Sequence, residues 1–566
     1  MKVVLCWHMH QPEYRDLSSG EYQLPWTYLH AIKDYVDMAA HLEAHPRAHA
    51  VVNFAPVLLD QIEDYCRQIE AYFASAAPLR DPILAALVCE HFTPDDDYKL
   101  ALWKQLLRIN RKRVIARFPA YERLAAMADW LLENPTAAAY CNDQFSIDLC
   151  MWYHLGWLAE TARRTDSRIK KLEEKAAHYT LADRHELLGI VHELLRSIIP
   201  RYRVLAQQGR IELAMSPYAH PIVPLLLDLT STREAMPTAP LPHDTHYPGG
   251  KERADWHIER GLATFARHFG IRPQGCWPSE GSVSAPTLRV LSALGFRWAA
   301  SGETVLRNSV EASQNAEDFA VPEDDLHRVY RIAGGGAIDC FFRDDALSDK
   351  IGFVYADWHG DDAVANLIHD LEQIAASHPH NKDRVVSIIL DGENAWEYYP
   401  KNGFYFLNAL YEKLSTHATL ELTTFSSIAD SALRRVELPQ LISGSWVYGT
   451  FSTWIGSADK NRGWELLCAA KRAYDTALAD ERLDAATQQR AALQLSICEG
   501  SDWFWWFGDY NPAQAVSDFE RLFRLHLRNL YTLIGAPIPA ALLQTISEGG
   551  GSPERGGVML PGQELH

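Results

Sequence analysis

Two short carboxylate motifs, each placed where a predicted strand ends, are the segments of this sequence best suited to chemistry. One is Trp-Pro-Ser-Glu, which ends at Glu280, and the other is Asp-Gly-Glu-Asn, which begins at Asp391 and includes Glu393. Because reacting groups in α/β folds collect at the carboxyl ends of strands, both motifs are expected to face one crevice. Two acids in one crevice can break a glycosidic bond. We predict that Glu280 is the nucleophile and that Asp391 is the general acid/base.

Each motif also has a purely structural interpretation. Glu280 stands shortly before Ser284, where it could favour the start of a helix through the helix dipole. The Asp-Gly-Glu-Asn motif is typical of surface turns. Its position after the mostly apolar run 385–390 favours a site, because an acid there is costly unless it faces a polar cavity. An apolar wall and a neighbouring carboxylate would raise the pKa of Asp391, as an acid/base requires.

The first strand ends in two histidines, His8 and His10, which share one face of an extended backbone. A histidine pair of this spacing is a common zinc ligand set. Two ligands do not define a metal site, however, and we predict that His10 binds sugar hydroxyls and that no metal or other cofactor is needed. Glu212, early in another buried strand, could bind a sugar hydroxyl or pair with an arginine in the core.

Aromatic residues cluster in two places towards the carboxy terminus. Flat indole rings pack against the CH groups of sugar faces, although half of these rings are expected in the core. The residues predicted to contact substrate are His10, Glu212, Trp277, Glu393, Trp446, Trp454, Asp502 and Trp503. Arg343, Asp344 and Asp349 follow another apolar strand and predict an ion network bordering the cleft.

Apolar runs alternate with helical patterns over much of the chain. Strands are predicted at 3–7, 51–54, 211–215, 275–277, 297–300, 337–342, 351–355 and 384–390. Helices are predicted at 26–42, 254–269, 284–294, 363–376 and through much of 462–531. This order indicates βα units in an α/β fold. The uneven strand spacing favours an incomplete or distorted barrel over eight regular repeats.

The composition predicts three parts and a soluble protein. We expect a catalytic barrel at 1–440 with a helical insertion at about 61–201, a carboxy-terminal helical domain at 441–545 completing the cleft, and a flexible tail at 546–566. The formal net charge of −19 argues against nucleic acid and anionic membranes as partners. Nine scattered cysteines and the absence of a recognisable secretion signal predict a cytoplasmic location.

Five segments, in order, resemble the five sequence regions of glycoside hydrolase family 57. They are residues 10–12, 209–212, 277–280, 391–393 and 499–506. Each segment alone is weak evidence, but five in order over nearly the whole chain are specific. Three further stretches, 216–227, 342–355 and 444–464, are similar to the family's α-amylase-type members.

The resemblance implies a distorted (β/α)7 barrel followed by a helical domain, retaining chemistry on α-glucans, and no metal requirement. It places Glu280 as nucleophile and Asp391 as acid/base, and neither position departs from the family pattern. The other residues it places against the sugar are His10, Glu212, Trp277, Asp502 and Trp503.

The expected activity is cleavage of α-1,4-glucosidic bonds in starch- or glycogen-like glucans and maltooligosaccharides, with transfer to a second sugar as a competing outcome. A branching enzyme or a 4-α-glucanotransferase is the alternative within the family. A zinc-dependent α-mannosidase-like hydrolase, with His8 and His10 as ligands, is a third hypothesis. A non-catalytic glucan-binding protein is the fourth. The sequence leaves the oligomeric state open.

Overall fold

The computed structural model describes residues 1–92, 95–316, 319–322 and 325–551. Its centre is a closed barrel of seven parallel strands in the order β1, β2, β3, β4, β5, β7, β8, with β8 pairing back onto β1. The strands are β1 Lys2–Met9, β2 Ala50–Phe54, β3 Ile211–Met215, β4 Gly275–Cys276, β5 Trp298–Gly302, β6 Val329–Ile332, β7 Asp339–Arg343, β8 Val385–Asp391, β9 Glu421–Thr423 and β10 Arg435–Leu438. The predicted α/β barrel of the (β/α)7 type is therefore confirmed.

The barrel strands are buried on both faces, as expected of parallel strands covered by helices. All seven residues of β8 are buried, and β1 is buried from Val3 onwards. The register sets His8 of β1 opposite Asp391 of β8 on one side and opposite Asn53 of β2 on the other. Strand pairing thus brings three polar side chains together at one end of the barrel.

Three short strands lie outside the closed barrel and were not predicted. β6 is antiparallel to β7 and parallel to β10, and β9 lies beside the first residues of β1. β6, β9 and β10 have only three or four residues each. Runs of this length are too short to show a strand periodicity.

Helices cover the outside of the barrel. Between β1 and β2 lie Trp26–His30, the π-helical turn Ala31–Tyr35 and Val36–Ala44. Between β2 and β3 lie Pro56–Ser75, Pro82–Val88, Asp96–Leu106, Pro119–Glu133, Asp143–Gly156, Glu160–Thr165, Ser167–Lys175 and Leu181–Gln207. Between β3 and β8 lie Val223–Leu227, Thr232–Ala235, Gly250–Phe269, Ala285–Ala293, Glu303–Ser313, Asp345–Asp349 and Gly360–Ser377. After β8 lie Phe404–Leu414, Phe425–Ala429, Ala458–Ala479, Ala485–Cys498, Ser501–Trp506 and Ala513–Leu533.

One predicted strand is wrong. Residues 351–355 form a π-helical turn, Lys350–Val354, followed by a 3-10 turn, Tyr355–Asp357. Ile351 and Tyr355 are buried, whereas Phe353 and Val354 are 40% and 47% exposed. Burial four residues apart is the spacing of a helix face, so a short apolar run misled the prediction.

The predicted flexible tail begins with ordered residues. Ile546 and Ser547 are buried, and their backbone amide and hydroxyl donate to Glu520 and Asp459, each at 2.8 Å. The remainder of the tail from residue 552 lies outside the described residues. All nine cysteines fall within the described part, and each is a free thiol. Among the described helices, none has the length and apolar character to cross a bilayer.

Candidate active site

A cavity of about 390 Å³ opens at the carboxyl end of the barrel. Glu280 and Asp391 both line it, after β4 and at the end of β8 respectively. Four of the eight residues predicted to contact substrate also line it, namely His10, Glu393, Trp446 and Asp502. The two motifs that are 111 positions apart in sequence therefore face one space, as the strand-end argument predicted.

Glu280 is held in an unusual backbone conformation. Its φ of 59° is left-handed, a region that non-glycine residues enter rarely and at an energetic cost. The backbone amide of Trp446 donates to the Glu280 carbonyl at 3.1 Å, and the Trp446 indole donates to its carboxylate at 3.1 Å. The Ser501 hydroxyl lies 3.4 Å from the other carboxylate oxygen. The segment is a strained turn that aims an acid into the cavity, and Ser284 caps the following helix through its own hydroxyl.

Burial is the main cause that raises the pKa of three acids in this cavity, and neighbouring carboxylates add to it. Burial, followed by the charges of Asp391 and Asp502, raises the pKa of Glu280 to about 8. Burial raises the pKa of Asp391 to about 6, although the Asn394 amide donates to its carboxylate at 2.8 Å. Burial and the Asp391 charge raise the pKa of Glu393 well above its usual range. Each of these three carboxyl groups is therefore held to its proton more tightly than it would be in water.

Glu393 lies on the floor of the cavity rather than on its open side. It is 1% exposed, and it accepts hydrogen bonds from the Gln11 side chain at 3.2 Å and from the His10 amide at 3.3 Å. The strand ends at Asp391, so the two acids do not continue one extended backbone. Glu393 thereby ties the loop after β8 to the loop after β1.

Three histidine rings stack beside the acids. The His10 and His220 centroids are 3.8 Å apart, and those of His8 and His220 are 5.0 Å apart. The Nε2 atom of His10 contacts both carboxylate oxygens of Asp502, at 2.9 and 3.0 Å. Burial and the neighbouring histidine charge lower the pKa of His8 to about 3, and the same causes lower the pKa of His220. Sequence reasoning did not single out His220, although it follows β3 at the catalytic end.

The only metal-capable group found among the described residues differs from the His8 and His10 pair of the zinc hypothesis. It consists of His10, His220 and Asp502, whose potential ligand atoms lie within 4.8 Å of one another. In the structure these atoms bond within the protein, since His10 contacts Asp502 and His220 contacts His8.

Trp446 forms the wall next to Glu280, and it is supported from behind. Trp277 packs edge-on against it with centroids 5.7 Å apart, and the Arg343 guanidinium lies 5.2 Å from its ring. Trp277 is 1% exposed and does not line the cavity, so the prediction that it contacts sugar is corrected. The Trp277 indole packs beneath the turn that holds Glu280 and does not enter the cavity.

The predicted ion network is partly confirmed. Arg343 donates to Asp345 and Asp349, each at 2.6 Å, and to the Ile389 carbonyl of β8 at 2.8 Å. Asp344 belongs to a different pair, with His327 at 3.0 Å. Arg343 thus connects the end of β7 to the end of β8 and to Trp446.

The helix Ser501–Trp506 provides the opposite wall. Asp502, Trp505 and Trp506 line the cavity, and their spacing of three and four places them on one helix face. Trp503 points to the other side, where it packs on the helix Ala513–Leu533 and donates to the Ile497 carbonyl at 2.7 Å. The prediction for Trp503 is corrected, because Trp505 and Trp506 of the same aromatic run line the cavity and Trp503 does not.

The predictions that Glu212 and Trp454 contact substrate are also corrected, because neither residue lines the cavity. Glu212 is the second residue of β3, at the end of the barrel away from the cavity. It accepts from the Trp298 indole at 2.6 Å and from the Ser426 amide at 2.8 Å, so neither a sugar nor an arginine is its partner. Trp454 is fully buried and packs on Trp505 with centroids 5.9 Å apart.

The cavity continues beyond the acids to a second region. Trp26, Trp157 and Tyr398 line it there together with Arg108 from the segment between the helices Asp96–Leu106 and Pro119–Glu133. The Arg108 guanidinium lies 4.8 Å from the Trp26 ring and pairs with Asp518 at 2.9 Å. Helices inserted between β2 and β3 therefore complete the walls.

Two tryptophan variants distinguish a ring that lines the cavity from a ring that packs behind it. We expect Trp505→Ala to raise KM for an oligosaccharide substrate by about tenfold, because it removes an aromatic face from the cavity. Trp503→Ala should instead lower the free energy of unfolding by roughly 3–5 kcal/mol, since it empties a packed site. Steady-state kinetics and urea unfolding of both proteins measure the two effects. An unchanged KM in Trp505→Ala would remove that ring from the binding surface.

A parallel barrel with two acids lining one aromatic-walled cavity is the arrangement of a glycoside-cleaving enzyme. The comparison with known families agrees. The model of glycosyl hydrolase family 57 matches residues 4–443, and the chain belongs to this family.

Solved structures of the same family share the fold. A branching enzyme of Thermococcus kodakaraensis, solved with glucose, has a TM-score of 0.57 at 16% identity and covers 100% of this chain and 97% of its own. The α-amylase AmyC of Thermotoga maritima has a TM-score of 0.56 at 13% identity, covering 94% and 93%. At the sequence level, a 1,4-alpha-glucan branching enzyme of Thermococcus kodakarensis is 28% identical over 119 residues, which is 21% of this chain and only 14% of that relative.

Proposed function

We propose that this enzyme cleaves α-1,4-glucosidic bonds in starch- or glycogen-like α-glucans and maltooligosaccharides by double displacement. The observation that carries the proposal is the joint placement of Glu280 and Asp391 on one cavity with aromatic walls. The structural relatives include a branching enzyme, an α-amylase and a 4-alpha-glucanotransferase, so the glucan class is common to them.

In the first step, a Glu280 carboxylate oxygen attacks the anomeric carbon while the Asp391 carboxyl group gives its proton to the departing glycosidic oxygen. A covalent ester to Glu280 forms as the glycosidic bond breaks. In the second step, Asp391 accepts a proton from water, and the oxygen of that water displaces Glu280. Both acids return to their starting protonation states.

The surrounding residues prepare the site for this chemistry. The Trp446 indole and the Ser501 hydroxyl are directed at the two oxygens of Glu280, where they stabilise the anion. Trp505 and Trp506 present ring surface to a sugar, and Asp502, held by His10, presents carboxylate oxygens to its hydroxyls. Closing these groups around a sugar excludes water and strengthens their electrostatic effects.

Transfer to a sugar is the second candidate function. The observation that favours it is the extension of the cavity to Trp26 and Trp157, which offers apolar ring surface beyond the acids. An acceptor sugar bound there would compete with water for the Glu280 ester. Branching would join the acceptor through its 6-hydroxyl, and disproportionation through its 4-hydroxyl.

Product analysis on maltoheptaose distinguishes the candidates. We expect shorter linear maltooligosaccharides as the main products, measured by anion-exchange chromatography over a time course. Products longer than seven glucose units would establish transfer instead. Methylation analysis after incubation with amylose tests for branching, since new α-1,6 links are absent from the substrate. No change in either substrate with the folded enzyme would contradict activity on α-glucans.

A further inference from the structure

A continuous chain of buried polar groups runs from β2 to Glu280. His8 Nδ1 lies 2.6 Å from Asn53 Oδ1, and His8 Nε2 lies 3.1 Å from His220 Nε2. His220 Nδ1 lies 3.0 Å from the Ser501 hydroxyl, which lies 3.4 Å from a Glu280 oxygen. Asn53, His8, His220 and Ser501 are all at most 5% exposed, so bulk water does not supply their partners.

Neutral imidazoles make such a chain directional. Each neutral ring carries one N–H donor and one acceptor nitrogen, so the proton position on one ring fixes that on the next. With Asn53 Oδ1 facing His8, the His8 Nδ1 atom must donate, and His220 then donates from Nε2 to His8. The Ser501 hydroxyl donates to His220 in turn and has no proton left for Glu280. In this direction the chain favours a protonated Glu280.

The opposite direction satisfies the buried groups better. In the first direction Asn53 Nδ2 is buried without a hydrogen-bond partner among the described residues. Turning the amide by 180° exchanges the positions of Oδ1 and Nδ2. Nδ2 then donates both to His8 Nδ1 and to the Ser216 hydroxyl, whose oxygen lies 2.9 Å from the exchanged position. Ser216 keeps its own donor bond to the Trp277 carbonyl at 2.7 Å. The turn pairs both N–H groups of Nδ2 and leaves Oδ1 in the position without a partner, so it exchanges two unpaired donors for one unpaired acceptor and is favoured.

We propose that Asn53 donates to His8 and so directs a hydrogen-bond relay, through His220 and Ser501, that ends on the ionised carboxylate of Glu280. His8 is then protonated on Nε2 and His220 on Nδ1, and the Ser501 hydroxyl donates to Glu280. Asn53, His8 and His220 are positioning residues, because they act on Glu280 through Ser501. The proposal rests on the proposed function, in which Glu280 must be ionised to attack.

The relay favours the ionised form of Glu280, in opposition to burial and to two neighbouring carboxylates. The carboxylates of Asp391 and Asp502 and the burial of the site favour its protonated form. The imidazole of His220 lies 3.8 Å from it, and burial keeps that ring neutral. The Trp446 indole is a second donor to the carboxylate. A fixed hydroxyl donor from Ser501 adds to this indole, and both donors shift the equilibrium of Glu280 towards its anion.

The tautomers of the two histidines test the relay in the unmodified protein. After selective ¹⁵N labelling of histidine, NMR distinguishes the protonated ring nitrogen from the bare one, and His8→Gln and His220→Gln spectra assign the signals. We expect Nε2–H on His8 and Nδ1–H on His220 at neutral pH. Nδ1–H on His8 would overturn the relay. This readout does not depend on turnover, so it can fail while Glu280 remains essential, or hold if Glu280 proves dispensable.

A double-mutant cycle tests the effect on Glu280. Asn53→Asp keeps the shape but presents only acceptors, so it forces the opposite direction. We expect the acid limb of the kcat/KM pH profile to move upward by about one unit, or about tenfold in kcat/KM below the limb. In a Ser501→Ala background the same change should move the limb by less than about 0.3 units, because the relay is already cut. Equal shifts in both backgrounds would show a charge acting through space, and no shift in either would show no coupling; both results overturn the relay.

Discussion

Glu280→Gln is expected to lower turnover of maltoheptaose by about 10⁴-fold or more, the largest loss of any single substitution. Glutamine keeps the shape and can still accept from the Trp446 indole, but it cannot form the glycosyl ester. The remaining cavity should continue to bind sugar, so the loss should appear in kcat. Isothermal titration with maltoheptaose checks that binding persists. Turnover within about tenfold of the unmodified enzyme would exclude Glu280 as nucleophile.

Asp391→Asn is the matched control that separates the two roles. It should also lose activity on maltoheptaose, because the leaving oxygen needs a proton. Fluoride leaves without protonation, so α-maltosyl fluoride should still release one equivalent of fluoride from Asp391→Asn in a rapid first turnover. Glu280→Gln should release none. A fluoride burst in Glu280→Gln and not in Asp391→Asn would reverse the two assignments.

The sequence predicted the catalytic end of the barrel well because strand ends are local features. The buried run before Asp391 identifies a strand by itself, and parallel strands share one carboxyl end. The same rule could have excluded Glu212, which is the second residue of its strand. It could also have included His220, which follows β3. Both positions are therefore predictable from their place in the strand.

Other features depend on information that is not local. In the run from Trp503 to Trp506 every residue is apolar, so no polar face reveals the helix phase. Only Asp502, three and four positions before Trp505 and Trp506, indicates which side faces the cavity. The walls built by Trp157 and Arg108 depend on how a long helical insertion folds back over the barrel. Helical periodicity predicts that such helices form but not where they pack.

Glu499→Gln is expected to destabilise the protein by roughly 3–5 kcal/mol, a loss as large as that expected of Trp503→Ala. The carboxylate accepts from Arg253 at 2.8 Å, from His257 at 2.8 Å and from the Tyr247 hydroxyl at 2.6 Å, and all four side chains are buried. Removing its charge leaves the Arg253 guanidinium buried and uncompensated. Urea unfolding followed by tryptophan fluorescence measures the change.

A surface pair is the control for this prediction. Glu193 pairs with Arg168, and the two side chains are 59% and 38% exposed, so Glu193→Gln should cost less than about 1 kcal/mol. Equal losses in the two variants would contradict a special role for the buried network. The network also joins Glu499, two residues before the helix Ser501–Trp506, to the helix Gly250–Phe269, so Glu499→Gln should weaken catalysis as well.

The stability that the Glu499 carboxylate contributes should depend on pH in a defined direction. Burial raises the pKa of Glu499, but the Arg253 charge and the His257 hydrogen bond outweigh it and lower the pKa from 4.5 to about 2. A lowered folded-state pKa contributes stability that is present above pH 4.5 and is lost as pH falls towards 2. The stability difference between the unmodified protein and Glu499→Gln should therefore be constant at neutral pH and shrink below about pH 4.5. A difference that grows with acidification would show that the carboxylate is not held in its charged form.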